Sequence, residues 1–359
     1  MNLESRLQLV QEVGEEIITP EELQTLMETK QNLVAYDGFE PSGDIHIAQG
    51  LLRAINVNKM TAAGIKFKFL VADWHAAANY KFKGNLETIH KVGEFFIEVW
   101  KACAMDLANI EFAWASDLAK DSDYWKLVLQ IATNSTLDRV KRCTQIMGRK
   151  ESDTLRASQI LYPCMQAADI FYLGVNICQL GMDQRKVNML AREVAPDLGF
   201  NKPVAIHHHM LMGLLQPSMS GLSGIDRTID IKMSKSNPDS AIFMLDSPEV
   251  VMNKIVKKAW CPAGQAADNP VLEYAKYIIF GNPREITFER PVKFGGPVTF
   301  KSYSELETAF VSGQLHPLDL KKGVAAEINH MLEPIRKHFA ENEHAKELLE
   351  FVRAQKVTK

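Results

Sequence analysis

The chain has 359 residues, enough for two domains with a core each, and its 46% hydrophobic and 24% charged content is that of a soluble globular protein. A formal net charge of −3 excludes a global pull toward nucleic acid, so any RNA affinity must come from local basic patches. No apolar run reaches the ~20 residues of a membrane span, residues 1–6 lack the basic and apolar regions of a secretory leader, and Cys103, Cys143, Cys164, Cys178 and Cys261 show no Cys-x-x-Cys spacing, so we expect a cytoplasmic protein with free thiols and no membrane association.

Residues 1–32 form a Glu-rich helical preface in which Thr19-Pro20-Glu21-Glu22 supplies the cap, proline and acidic first turn of a helix start. Residues 33–247 read as an α/β unit. Its first strand, Leu33-Val34-Ala35-Tyr36, runs to Gly38, then a Pro41-Ser42-Gly43 turn and a helical segment over about 46–63. A second strand over 67–72 is followed by an amphipathic helix over 85–104, with Ile89, Val92, Phe95, Phe96 and Val99 on one side, and by a third strand over 110–114. Residues 117–158 turn helical, polar and basic, as an insertion between two halves of a sheet; strands return at 176–180 and 204–207. The alternation predicts a Rossmann-like, doubly wound parallel sheet with ligands at the carboxyl ends of its strands. Residues 248–359 read as a mostly helical C-terminal domain, interrupted at 290–296, with Leu320, Val324, Ile328, Met331, Leu332, Ile335 and Phe339 on one stripe. Basic residues gather at Arg139, Lys141, Arg142, Arg149 and Lys150, at Arg185-Lys186, and at Lys321-Lys322 with Arg336-Lys337; each group alone reads as a solvated face.

Two stretches carry chemistry. Lys232-Met233-Ser234-Lys235-Ser236 leads into Asn237-Pro238-Asp239, a Ser- and Asn-rich turn whose two lysines form a mobile cationic loop able to close on a polyphosphate. Upstream, Tyr36-Asp37-Gly38-Phe39-Glu40-Pro41-Ser42-Gly43-Asp44-Ile45-His46-Ile47-Ala48-Gln49 places His46 at a helix start, where backbone N–H groups and the dipole suit phosphate. A phosphate between His46 and Lys235 is held from both sides. Adenylyl transfer needs mainly that, positioning plus neutralisation of the charge building on the leaving pyrophosphate. Mg²⁺ would be held mainly by the phosphates, with water completing its octahedron. No protein metal site is expected: His207-His208-His209 resembles a metal tract, but neighbours on a strand point to alternate faces, which favours proximity to an adenine pocket. Tyr162, Gln166 and Asp169 fall at i, i+4 and i+7, on one face of one helix, in a run bounded by Pro163.

The lysine loop and the Tyr36–Gln49 stretch resemble the two signatures of class I aminoacyl-tRNA synthetases. With Leu161-Tyr162-Pro163-Cys164-Met165-Gln166-Ala167-Ala168-Asp169 and Gly181-Met182-Asp183-Gln184-Arg185-Lys186 added, the chain from about 33 to 339 resembles the tyrosyl-tRNA synthetases of the archaeal and eukaryotic cytoplasmic kind. The resemblance implies a homodimeric tyrosine–tRNA ligase with ATP as substrate, L-tyrosine and tRNA-Tyr as partners, no DNA partner, a dimer interface in the 117–158 insertion and an anticodon-binding C-terminal domain. It implies that Tyr36 and Asp169 hold the phenol hydroxyl, and that Tyr162, Gln166 and Gln184 bind the α-amino group, with Glu40 in the same tyrosine pocket. It places ATP against Gly38, Pro41, Ser42, Gly43, His46, Ala48, Gln49, His209, Met233, Ser234, Lys235 and Ser236, with His46, Lys232 and Lys235 catalytic. Arg185, Lys186 and Met189 match positions that meet the first acceptor pair, and Phe294, His316 and Asp319 match those that read the first anticodon base, by stacking and a carboxylate acceptor. An Asp acceptor and a Tyr donor left unpaired by phenylalanine cost about 1–3 kcal/mol each, and tryptophan offers no hydroxyl there, so Asp169 argues for tyrosine.

One departure stands out: where the class has His-Ile-Gly-His, this chain has His46-Ile47-Ala48-Gln49. Ala48 is still small, and Gln49 donates a hydrogen bond but carries no charge. Two rival readings stay open at this stage, an adenylyltransferase of the same fold acting on another amino acid such as tryptophan, and a catalytically retired RNA-binding paralogue. The long helical C-terminal region counts against the first and the intact lysine loop against the second.

Overall fold

The structure, a computed structural model, describes residues 1–148, 154–217, 221, 224–235 and 237–355. Arg149, Lys150 and Ser236 lie outside the described residues.

Strands β1 (Glu16–Ile18), β2 (Val34–Phe39), β3 (Lys66–Val71), β4 (Ile110–Trp114), β5 (Ile177–Gly181) and β6 (Val204–His208) form one sheet in the order β1-β6-β5-β2-β3-β4. All neighbours are parallel except β1, which runs antiparallel along β6 and pairs Glu16 with His207. Strands buried on both faces carry near-continuous apolar sequence, and β5 is buried at every position. Successive strands step from β2 out to β4, and the chain then returns to place β5 on the other side of β2, so the crevice opens between the carboxyl ends of β2 and β5. The sequence reading of this α/β architecture holds for β2 to β6.

Two apolar cores lie against the sheet. One takes in Val57, Phe67, Phe69, Phe95, Phe96 and Trp100 and runs on into Ile278, Val324, Leu332, Phe339 and Val352 of the C-terminal helices. Helix Leu86–Ala102, capped by Asn85 on the Thr88 N–H at 2.9 Å, joins them. The other core holds Tyr36, Leu70, Tyr124, Ile131, Tyr162 and Ile170, packing helices Ser122–Thr133 and Ala157–Tyr172 against the sheet.

Four expectations need correction. The preface is not wholly helical, because Glu16–Ile18 between helices Leu3–Gln11 and Pro20–Thr29 supplies the sheet's edge strand. His46 does not open a helix: the helix runs Leu51–Ala62 with Gly50 as its cap, and residues 46–49 form a turn braced by the His46–Phe243 bridge. Pro163 does not bound helix Ala157–Tyr172 but lies inside it. The C-terminal region contains a hairpin of β7 (Ile286–Phe288) and β8 (Val298–Phe300), whose connection is the 290–296 interruption. No helix among the described residues is long and apolar enough to cross a membrane.

Candidate active site

A cavity of about 240 Å³ opens where the topology requires, with walls from β2 and the loop after it, the helix carrying Tyr162, and the ends of β5 and β6. Its deep end is built around Asp169, which is 1% exposed. Tyr124 donates its hydroxyl to Asp169 Oδ1 at 2.9 Å, and His75 Nε2 lies 3.0 Å from Oδ2. Burial works against the His75 charge, but the Asp169 carboxylate more than offsets it and raises the imidazole pKa. Tyr36 enters from β2, fully buried, with a hydroxyl that has no hydrogen-bond partner among the described residues. Burial first, then the Cys178, Asp169 and Asp37 charges, raise its pKa well above the usual phenol range, so it is a neutral donor. An orphaned donor beside a buried carboxylate is costly unless a ligand hydroxyl completes it.

Further out, Gln166 donates to Gln184 Oε1 at 3.1 Å, and Gln184 donates to the Ile146 carbonyl at 3.2 Å. Tyr162 is raised by burial and by the Glu40 carboxylate, which is itself fixed by two 3.0 Å contacts from Asn79. These acceptors suit an ammonium group. Below them Asp37 and Arg53 form a buried pair at 3.1 Å, and Arg53 reaches His208 Nδ1 at 3.0 Å. Burial pushes the Asp37 carboxyl up and the Arg53 charge pulls it back.

The outer end is cationic. His46, Ser42, Ala48, Gln49, Lys232 and Met233 line it. Burial, then Lys235 and Lys232, lower the His46 pKa well below its usual value, so the ring is neutral and offers a hydrogen-bonding group rather than a charge. Lys235 lies behind this wall, 3.4 Å from Ser42 Oγ and 4.7 Å above the Phe96 ring, where burial brings its pKa down to about 7 against the Asp44 charge. Lys232 pairs with Asp183 at 2.6 Å. Gly43 has φ 110°, a conformation that favours glycine and turns the chain toward His46. At Gly181 a Cβ would sit 2.5 Å from Met210 Sδ, so a larger residue at the end of β5 would displace that flexible side chain.

Of the residues singled out from sequence, the cavity gathers Tyr36, Gly38, Glu40, Ser42, His46, Ala48, Gln49, Tyr162, Gln166, Asp169, Gln184, His209, Lys232 and Met233. Pro41, Gly43, Ser234 and Lys235 stand outside its wall. Among the three histidines, His207 turns away to Glu16 and Asn188, whereas His208 and His209 face the cavity. Sequence reading missed Tyr124 and His75. The buried stripe Tyr124, Leu127, Val128 and Ile131, and a histidine just past the carboxyl end of β3, were the available signals.

Arg185, Lys186 and Met189 share helix Arg185–Val194, outside the cavity. Phe294 is 59% exposed at the hairpin tip, and Arg290 ties that loop to the Gln314 carbonyl at 3.3 Å, next to His316. His316 Nδ1 accepts from the Leu318 N–H as the cap of helix Pro317–Glu341, whose first turn holds Asp319.

The profile of the family described as tRNA synthetases class I (W and Y) matches residues 27–333. The chain is 49% identical to "Tyrosine--tRNA ligase 1, cytoplasmic" of Arabidopsis thaliana, covering 99% of this chain and 90% of that one. It superposes on a Pyrococcus horikoshii tyrosyl-tRNA synthetase complexed with L-tyrosine at a TM-score of 0.91, with 41% identity over 99% of this chain and 100% of that one. A Leishmania major tyrosyl-tRNA synthetase in complex with tyrosinol gives 0.89 and 46%, covering 99% of this chain and 61% of that one.

Proposed function

The chain belongs to the class I tRNA synthetases, within the tyrosine–tRNA ligases, and on that premise we propose how its own residues divide the work. The overall reaction joins tyrosine to ATP, releasing pyrophosphate, and passes the tyrosyl group to the 3′-terminal adenosine of tRNA-Tyr. The observation that carries our assignment of the pocket is Asp169, held by Tyr124 and His75 beside the unpartnered Tyr36 hydroxyl. In this reading the substrate phenol donates to Asp169 and accepts from Tyr36. Glu40, Tyr162, Gln166 and Gln184 take the ammonium group, which points the carboxylate outward.

That carboxylate attacks the ATP α-phosphorus, the bond to the β-phosphate oxygen breaks, and negative charge builds on the departing pyrophosphate. Lys235 and Lys232 meet it when their loop closes, and neutral His46 donates a hydrogen bond. Gly38, Pro41, Ser42, Gly43, Ala48, Gln49, Met233, Ser234 and Ser236 shape the nucleotide site, with His209 toward adenine. Gln49 supplies an amide where the class has its second imidazole. Any Mg²⁺ would be held mainly by the ATP phosphates, since Asp183 beside the loop already holds Lys232. We assign Arg185, Lys186 and Met189 to the first acceptor pair and Phe294, His316 and Asp319 to the anticodon, making 248–359 the anticodon-binding domain. The insertion over 117–158 is the proposed homodimer surface, and its Leu129 and Leu137, each at least 60% exposed, support that role. The working compartment is the cytoplasm.

Exchange of labelled pyrophosphate into ATP tests this directly. Tyrosine alone should support exchange, and Asp169→Ala and Lys235→Ala should each remove it; exchange driven by another amino acid, or none at all, overturns the assignment.

A further inference from the structure

Glu16 opens the edge strand β1, yet its carboxylate is spent on the helix that carries Arg185. Both of its oxygens accept from Arg185 Nε, at 3.0 and 2.9 Å, and Oε2 also lies 2.8 Å from His207 Nδ1. The other ring nitrogen of His207 lies 3.0 Å from Asn188 Nδ2. An amide NH₂ can only donate, so His207 Nε2 accepts and the proton sits on Nδ1, directed at Glu16. Burial keeps the ring neutral by lowering its pKa. The result is a closed circuit, Asn188 to His207 to Glu16 to Arg185, that begins and ends one turn apart on helix Arg185–Val194 and passes through β6 and β1.

The circuit commits only one of the three nitrogens of the guanidinium. The two terminal amino groups of Arg185 have no partner among the described residues, and the side chain is 35% exposed. A planar fork fixed at its Nε edge presents its far edge to solvent, in the geometry that binds a base edge or a phosphate through two parallel hydrogen bonds. Lys186, the next residue, is likewise bonded, to Gln145 of the insertion. A long flexible side chain held this way loses less rotamer freedom when it meets its partner.

We propose that Glu16 is a positioning residue for tRNA, acting through Arg185, so that the N-terminal edge strand takes part in reading the acceptor end. The inference rests on the assignment of Arg185 to the first acceptor pair. Its test is charging kinetics on the full-length enzyme with tRNA-Tyr transcripts carrying the native or an inverted first acceptor pair. Glu16→Ala should raise KM for tRNA roughly tenfold, in the range of losing one positioned arginine contact, and narrow the discrimination between the two transcripts. KM for tyrosine and the rate of pyrophosphate exchange should stay within about twofold. In an Arg185→Ala background the same substitution should add nothing, since its route is gone. Should Glu16→Ala fold poorly, Glu16→Gln keeps the shape, removes the charge and should move KM for tRNA in the same direction. If Arg185→Ala raises KM for tRNA while neither Glu16 variant does, the positioning role is wrong. A loss shared equally between exchange and charging marks Glu16 as merely structural, which also overturns it. If Arg185→Ala itself leaves KM for tRNA unchanged, the assignment beneath the inference fails and the inference with it.

Discussion

His209 fastens three parts of the chain together, and its titration predicts how that fastening responds to pH. Its Nδ1 lies 3.1 Å from Glu15 of the preface, its Nε2 lies 3.2 Å from Glu273 in the C-terminal region, and its ring stacks on Tyr277 at 4.1 Å. Burial alone would lower the imidazole pKa, but the hydrogen bonds and charges of Glu15 and Glu273 raise it from 6.5 to about 9. A rise of that size corresponds to about 3 kcal/mol; Glu15 is half exposed, so solvent screening leaves about 2 kcal/mol. The folded chain binds a proton that the unfolded chain releases. The stabilisation is therefore complete below pH 6.5, fades as pH rises through 9 and is gone by about pH 10. His209→Phe keeps a ring against Tyr277 and removes the charge. Urea unfolding without nucleotide should find the variant less stable by about 2 kcal/mol at pH 6.5 and nearly equal to the parent at pH 9.5. A difference of the same size at both pH values refutes the reasoning.

Tyr124→Phe takes a 2.9 Å hydrogen bond from a buried carboxylate, worth about 1.5–3 kcal/mol; KM for tyrosine in pyrophosphate exchange should rise roughly tenfold or more while KM for ATP holds. Gly50→Ala puts a Cβ 2.3 Å from the sulfur of fully buried Met244. That overpacking should cost about 1–3 kcal/mol, read as a lower urea midpoint at unchanged slope. Phe294→Ala removes an exposed ring, so stability should change by less than about 0.5 kcal/mol, while KM for tRNA rises by the equivalent of about 1–3 kcal/mol of lost base stacking and exchange continues at the parent rate.

What could be read from the sequence was local. The parallel strands announce themselves as apolar runs because both their faces are buried, and Tyr162, Gln166 and Asp169 were found together because one helix supplies all three. Tyr124 and His75 escaped because they reach Asp169 from separate elements, Tyr124 across a separation of 45 residues. The edge strand is three residues long and exists only through its register with β6, a partner that no local pattern announces. The same holds for His46, where the sequence suggested a helix start. Its turn is instead braced from far along the chain, by the Ile47 N–H to Ile242 carbonyl bond at 2.9 Å and the Met244 N–H to Ile45 carbonyl bond at 2.9 Å. The physical case for His46 as a phosphate-facing donor therefore passes from helix dipole to burial, neutrality and two nearby lysines.

The division of the apolar interior assigns the two ends of the cavity to different supports. The floor that holds Asp169 belongs to the core shared with helices Ser122–Thr133 and Ala157–Tyr172, the first within the insertion and the second leading out of it. The outer end, where Ile45, Ile47, Met233 and Met244 are buried, belongs to the core that continues into the C-terminal helices. Polar ties reinforce that second union: Glu98 accepts from His338 at 2.9 Å, Lys254 pairs with Asp246 at 2.7 Å, and Arg336 donates to the Asp246 carbonyl at 2.8 Å. The end proposed for tyrosine is thus braced from the insertion side and the end proposed for the nucleotide from the C-terminal side, and the two cores meet across the sheet and at helix Asp73–Ala78, which packs against both helix Leu86–Ala102 and helix Ala157–Tyr172. Packed cores do not deform continuously, so a displacement of the C-terminal helices by bound tRNA would reach the turn holding His46 and the segment holding Met233 before it reached the phenol pocket. The fold thereby joins the part proposed to read the anticodon to the end of the cavity proposed to handle phosphate, while the floor proposed to select the amino acid rests mainly on the other core.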